Sequence, residues 1–380
     1  VVQVCGNLAV PIPEYSPVLQ VAFRPAATAA PLPPTPAVTA VVEEEEIARP
    51  MIAYLSDRDD PNTSTNWNTR NISVYVWDGV TERRIAEDVG CGQLINHLYW
   101  RPGTSEIWMK ADGRVRKMVD AETGTVVEMA EVGVPDANDK TGPQTSYPVW
   151  SPDGAWLAFI LCTPDNRAAG GGSGSPEWWC YAAKSRSDGS EIQPLSPQYP
   201  SHILQANTNW SPDGTSVMFE VGLPPDDLSQ QLAVRNGVNI PVPGLYLVSA
   251  DGSQELRQVV QTDWLGEISW SPLGDRIAWR GATNFPGGKS CPYDLWVANL
   301  DLQEFRNLTH LGDLSQACFG VSGTPSWSPD GTQITYELMD FEKVDLHESW
   351  SQVYIANADG SGIRQITHEG NNRGPTWVRQ

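Results

Sequence analysis

The pentad Trp-Ser-Pro-Asp-Gly occurs three times unaltered, beginning at Trp150, Trp210 and Trp327, and this self-similarity constrains the fold more than any other feature. Trp270-Ser-Pro-Leu-Gly and Trp100-Arg-Pro-Gly are degenerate copies, and Trp377-Val-Arg opens a sixth. Successive tryptophans stand 50, 60, 60, 57 and 50 residues apart. That period is too long for helical-hairpin repeats and suits four strands per unit. Each pentad precedes a short β-type run, as in Val217-Met-Phe-Glu, Ile277-Ala-Trp and Ile334-Thr-Tyr-Glu. A variable stretch leads to a second run, seen in Tyr246-Leu-Val, Leu295-Trp-Val-Ala and Val353-Tyr-Ile-Ala. Asp188-Gly, Asp251-Gly and Asp359-Gly then mark a tight turn into a third.

These signals predict a four-stranded antiparallel blade with strands A to D, in which Pro-Asp-Gly makes the A–B turn. Proline presets φ there, and glycine takes the positive-φ position at the exit. Aromatic residues used once per unit are core residues, so Trp100, Trp150, Trp210, Trp270, Trp327 and Trp377 are assigned to packing between blades. The first strand-B run, Ile52-Ala-Tyr-Leu, lacks a preceding pentad, and the last copy lacks a following blade. Both gaps close if the C-terminal strand serves as strand A of the first blade, which leaves no long edge exposed. The expected fold is all-β: a six-bladed β-propeller over residues 51–380, closed by its C-terminal strand.

Ahead of the repeats, 1–23 reads as a small β segment or arm with Val1, Val2, Val4, Leu8 and Val10 as its contact residues. Residues 24–50 are a Pro-rich linker ending in Glu43-Glu-Glu-Glu, semi-extended and without a core of its own. At about 3.1 Å per residue in polyproline geometry, that linker spans roughly 80 Å, so the arm can reach beyond its own ring.

The charge balance excludes some partners. With 25 Lys+Arg against 46 Asp+Glu, the chain carries −21, which argues against nucleic-acid phosphates and anionic lipid. No run of about 18 apolar residues predicts membrane insertion. Six cysteines, Cys5, Cys91, Cys162, Cys180, Cys291 and Cys318, form no Cys-x-x-Cys pair and no zinc spacing. An even, dispersed set suits disulfides, and the start at Val1 suits a processed secretory product, either extracellular, at the cell surface or periplasmic. Six free thiols in a reducing compartment are the alternative. Blade topology pairs Cys162 with Cys180 across one hairpin and Cys291, at the start of strand C, with Cys318 in the next D–A loop. Cys91, placed in the first D–A loop, is left for Cys5.

The pentads, with Leu308-Thr-His and Ile366-Thr-His at the ends of strand D and Tyr54-Leu-Ser-Asp-Arg-Asp in the first blade, resemble the TolB-type β-propeller family. The resemblance covers about 330 residues. It implies a periplasmic or extracellular binding module, although the same blades also stand beside hydrolase domains in prolyl oligopeptidase relatives. Two features depart from the pattern: residues 1–50 do not read as TolB's separate α/β domain, and no α/β-hydrolase domain is legible.

In such a blade the A–B and C–D turns share one face and the longer B–C and D–A loops the other. Long loops on one face of a rigid ring are where recognition resides. The loop-face candidates are Asp57, Asp59, Asp60, Trp67, Trp178, Trp179, Asp226, Asp227 and Trp350, residue types that suit a protein, a glycan or Ca²⁺. No other cofactor is expected. Three functional readings follow. The first is a non-enzymatic secreted structural protein whose arm docks on a neighbouring copy and builds a filament or ring. The second is a monomeric binding module using the loop face. The third, a propeller lyase or glycosidase, draws least support: there is no Gly-x-Ser-x-Gly, no His-Glu-x-x-His and no phosphate loop.

Overall fold

A computed structural model describes residues 51–60, 71–91, 97–111, 115–130, 144–146, 148–164, 178–200, 203–222, 237–253, 255–261, 266–282, 293–311, 319–340 and 351–377. Contacts divide the chain into Val1–Ile47 and Ala48–Gln380, and all described residues belong to the second unit. The arm, the linker, Cys5, Cys291, Cys318, Trp67, Asp226, Asp227 and Trp350 lie outside the described residues. Among the described residues no helix is long and apolar enough to cross a membrane.

The strands assemble into six antiparallel sheets. Blade 1 holds β1 (Ile52–Ser56), β2 (Asn71–Trp77) and β3 (Glu82–Cys91). Blade 2 holds β4 (Leu98–Trp100), β5 (Glu106–Ala111), β6 (Val115–Asp120) and β7 (Val126–Ala130). In blade 3, strand A is broken into β8 (Gln144–Thr145) and β9 (Val149–Trp150), both pairing β10 (Leu157–Pro164). Its β11 (Trp178–Ser185) is flanked by β12 (Gln193–Pro194) and β13 (Tyr199–Pro200). Blade 4 runs β14 (Leu204–Trp210), β15 (Ser216–Val221), β16 (Gly244–Ser249), β17 (Leu256–Gln261). Blade 5 runs β18 (Gly266–Trp270), β19 (Arg276–Ala282), β20 (Tyr293–Asn299), β21 (Phe305–Asn307). Blade 6 runs β22 (Phe319–Trp327), β23 (Gln333–Asp340), β24 (Ser351–Asn357), β25 (Arg364–Gln365). The last strand, β26 (Asn372–Trp377), pairs β1 with Ile52 opposite Trp377 and Ser56 opposite Asn372, and so completes blade 1. The ring is a six-bladed propeller closed by its C-terminal strand.

Six apolar clusters hold it together, one between each pair of neighbouring blades. Strand alternation makes this possible, because successive side chains face opposite sides of a sheet. On β1, Ala53 and Leu55 join the core shared with blade 2, whereas Ile52 and Tyr54 join the one shared with blade 6. On β19, Ile277 and Trp279 pack toward blade 4 and Ala278 toward blade 6. Each repeat tryptophan faces the preceding blade: Trp100, Trp150, Trp210, Trp270, Trp327 and Trp377 each sit in a different cluster. All six are at most 7% exposed, which makes them wedges between blades.

The pentad chemistry explains the turn. Ser151 Oγ accepts the Trp156 N–H at 2.9 Å and donates to Asp153 Oδ1, which also accepts the Ala155 N–H at 3.0 Å. Gly154 donates to the Ser151 carbonyl at 2.9 Å with φ +66°, and a Cβ there would stand 2.9 Å from the Pro102 carbonyl oxygen of the preceding blade. The same bonds recur at Ser211/Asp213 and Ser328/Asp330. The strand-D element has an equally local reason: Thr309 and Thr367 hydroxyls accept the N–H groups of Leu295 (3.0 Å) and Val353 (2.9 Å) on strand C.

Two expectations need correction. Cys91 is the last residue of β3, opposite Asn71, rather than part of a D–A loop, because β3 runs past two register shifts to meet the start of β2. Trp178 and Trp179 are strand residues of β11, opposite Pro164 and Thr163; pairing extends the hairpin further than the glycine-rich segment before them suggests.

Candidate functional site

Cys162 and Cys180 face each other in register on β10 and β11 and form a disulfide. A cross-strand cystine of this kind belongs to an oxidising compartment. It also fixes the base of a long loop on the face where the B–C and D–A connections gather.

The six innermost strands surround an axial cavity of about 110 Å³, lined among others by His97, Trp150, Asn209, Ser326 and Trp377. Three of the repeat indoles spend their N–H on the ring itself: Trp100 donates to the Thr104 carbonyl (2.7 Å), Trp210 to Val149 (3.0 Å) and Trp327 to Ser269 (3.2 Å). Those of Trp150, Trp270 and Trp377 alternate with them around the ring and meet no acceptor among the described residues. Trp150 and Trp377 line the cavity and Trp270 does not, and all three of these N–H groups are buried in the blade interfaces.

Charged groups collect beside it at the loop-face end. Glu337 on β23 is 4% exposed, accepts the Ser351 hydroxyl at 2.8 Å and the Gly374 N–H at 3.2 Å, and lies 3.8 Å from Arg373 Nε. Burial pulls the Arg373 guanidinium down to about 10, opposed by Glu337 and Asp57. His97, half-buried at the cavity, is held below the usual imidazole range by loss of hydration, against the opposing pull of Glu267 and Glu337. Gly323, at φ +70°, lets the backbone pass between them: a Cβ there would stand 3.6 Å from Glu337 Oε2 and 3.9 Å from the His97 ring. Glu267 on β18 has φ +51°, and its Oε2 is buried without a hydrogen-bond partner among the described residues.

Among the described acidic loop-face candidates, Asp57, Asp59 and Asp60 each accept hydrogen bonds from within the ring. Asp57 is 1% exposed and accepts both the backbone N–H (2.6 Å) and side-chain amide (2.9 Å) of Asn371. Asp59 accepts the Tyr75 hydroxyl and Arg84 (2.9 Å), and Asp60 the Asn71 N–H (2.9 Å). The Tyr75 bond is the main cause holding the Asp59 carboxyl low, while burial and that carboxylate push Tyr75 up to about 12. Between them Arg58 lies over the Tyr75 ring at 4.3 Å and donates to Tyr54 Oη (3.0 Å), Glu82 and Asn372 Oδ1 (3.1 Å). The Ser-Asp-Arg-Asp segment is thus a latch tying blade 1 to the chain entering β26: Asp57 is buried in it, while Asp59 remains exposed on the loop face. Trp179 is 8% exposed and packed. Among the described residues no group of three or more His, Cys, Asp or Glu is placed to hold a metal ion.

Sequence reasoning missed Glu337 and Arg373. The usable signal was in the repeat itself. Ten residues after the tryptophans of blades 2 to 6 stand Lys110, Ile160, Glu220, Arg280 and Glu337, so a strand-B position that is apolar in blade 3 is charged in the other four.

No protein-family profile and no curated protein matches the sequence. Solved structures do. TolB from Acinetobacter baumannii is 16% identical, with a TM-score of 0.56 over 87% of this chain and 66% of TolB's own length. The ring is a TolB-like propeller. An oligogalacturonate lyase from Vibrio parahaemolyticus (14% identity, TM-score 0.45) aligns over 83% of this chain and 78% of its own. An acylaminoacyl peptidase from Pyrococcus horikoshii (13%, 0.43) aligns over 84% and 44%. At these identities the likeness concerns the fold alone.

Proposed function

We propose that this chain is a non-enzymatic interaction protein of an oxidising compartment, which assembles with copies of itself by lending its N-terminal arm to a neighbouring ring. One observation carries the reading: every blade is complete within residues 52–377, because β26 supplies the strand that the beginning of the chain would otherwise have to provide. Residues 1–50 are therefore surplus to ring closure, and a β-type segment on a Pro-rich tether is suited to docking elsewhere. Repeated head-to-tail docking generates a filament unless the geometry closes. The non-enzymatic part rests on the sequence, which has no Gly-x-Ser-x-Gly, no His-Glu-x-x-His and no phosphate loop. Mass photometry of the full chain and of a chain lacking 1–50 tests it. Oligomers in the first sample and monomers in the second are expected; monomers in both would end the proposal.

A second reading is favoured by a separate observation, the axial cavity to which strand A of all six blades contributes, with His97, Asn209 and Ser326 among its polar lining. It makes the ring a binding module that takes a single partner protein at the loop-face end. Capture of a partner at one copy per ring, with no self-assembly, would support it over the first.

A further inference from the structure

A propeller leaves six outer strand edges, and unpaired edges are templates for another strand unless they are short, bulged, charged or proline-bearing. The described edges differ in this protection. Blades 5 and 6 end in strands of 3 and 2 residues, and blade 3 in 2-residue pieces that each contain a proline. In blade 1, β3 is long, but it carries two register shifts and the charges of Glu82, Arg83, Arg84 and Glu87. In blade 4, β17 is bulged where Leu245 gives way to Tyr246. Blade 2 is the exception. Its β7 pairs β6 in unbroken register over 5 residues without proline, its one charge, Glu128, is paired with Lys117 of β6, and Val126 and Val127 are both 39% exposed.

We infer that β7 is the acceptor edge, and that the segment Val1-Val-Gln-Val-Cys5 of a second copy adds to it as a fifth strand of blade 2. This rests on the self-assembly proposed above and names its site. The donor matches the edge in length, is three-fifths β-branched valine, and has no charged side chain from Val1 through Pro13. Charge selects the same blade: residues 97–130 hold 5 Lys+Arg and 5 Asp+Glu, so this blade is neutral within a chain of −21. Two copies meet there with little like-charge cost. The ladder also shows which groups are offered. Asp120 N–H bonds the Thr125 carbonyl at 3.0 Å, so alternation turns the N–H and C=O of Val127 inward and those of Val126 and Glu128 outward.

The double substitution Val126→Pro and Glu128→Pro removes two outward N–H groups and no β6–β7 backbone bond, a placement that edge strands tolerate, and beyond that only the exposed Glu128–Lys117 ion pair (2.9 Å). In the full chain it is expected to abolish the oligomer in mass photometry while leaving the thermal midpoint close to wild type. Hydrogen exchange on the unmodified chain supplies an independent measure: the Val126 and Glu128 amides should be protected in the assembly and lose protection on dilution to monomer. A wild-type chain that is monomeric at every concentration overturns the proposal together with the self-assembly reading. A variant that still assembles, or amides that exchange freely in the oligomer, overturns the β7 assignment alone. Protection that persists in a monomer would mean the arm covers its own ring, and also overturns it.

Discussion

Asp330 places one carboxylate oxygen against three donors: the Ser328 hydroxyl and the N–H and hydroxyl of Thr332. These bonds, the Ser328 one foremost, hold its carboxyl below the usual range. A depressed folded-state pKa contributes stability that is present above the unfolded value near 3.8 and lost as pH falls through the folded one. Blade 5 limits the size of the effect. There Leu273 replaces the aspartate, Ser271 Oγ accepts the Leu273 N–H instead at 3.2 Å, and the Ser271–Arg276 and Gly274–Ser271 backbone bonds remain at 2.9 Å. The turn forms without a carboxylate, so Asp330→Asn should cost about 1 kcal/mol at pH 7. Urea unfolding at pH 7 and pH 3 checks both parts: the gap between wild type and variant should shrink toward zero in acid. A constant gap would mean the carboxylate's charge contributes nothing.

At the scale of the element, the hairpin β10–β11 joins the one described disulfide to a loop whose ends are 18 residues apart in sequence. Closing a loop of that size removes unfolded-state freedom worth roughly 3 kcal/mol. Replacing Cys162 and Cys180 together by Ala, or reducing the wild-type protein, should lower the unfolding free energy by about that amount in urea. If neither treatment moved the midpoint, the crosslink would be structurally idle. This pair was legible in the sequence because the repeat fixed which strands are neighbours and the strand period fixed the register. The strand-A tryptophans were legible for the same reason, each being repeated where a wedge is needed. The burial of Asp57 was not legible, because a carboxylate at a strand exit has the same spelling whether it faces solvent or a distant strand. Asp57 meets Asn371, which is 314 positions away. The axial group of His97, Glu337 and Arg373 comes from three blades and has no shared spacing, so only the recurrence of a charge at the strand-B position of Glu337 pointed to it.

The whole molecule depends on two opposed long-range effects. Its charge of −21 makes copies repel, and the Debye length falls from about 30 Å at 0.01 M salt to about 8 Å at 0.15 M. At fixed protein concentration the oligomer of the full chain should therefore grow with salt over that range, while the chain lacking 1–50 should stay monomeric throughout. An oligomer that shrank with salt would point to contacts between opposite charges instead. Closure acts in the other direction, within one ring. Six interfaces between six blades make each blade's loss cost two interfaces, so unfolding should be a single event as long as the circle is intact. β26 is the joint. Without it β1 would present Ile52–Leu55, all 0% exposed and uncharged, as a bare apolar edge, and the core containing Tyr54, Val353 and Ile355 would lose Trp377. The latch would go too, since Arg58 and Asp57 find their partners at Asn372 and Asn371. Deleting residues 371–380 should replace the sharp thermal transition by a broad, aggregating one, and a peptide of those residues added in trans should restore part of the sharpness. Retention of the full-length melting curve by the truncated chain would mean the blades are stable as an open arc, and that the ring is held by its neighbour contacts rather than by its joint.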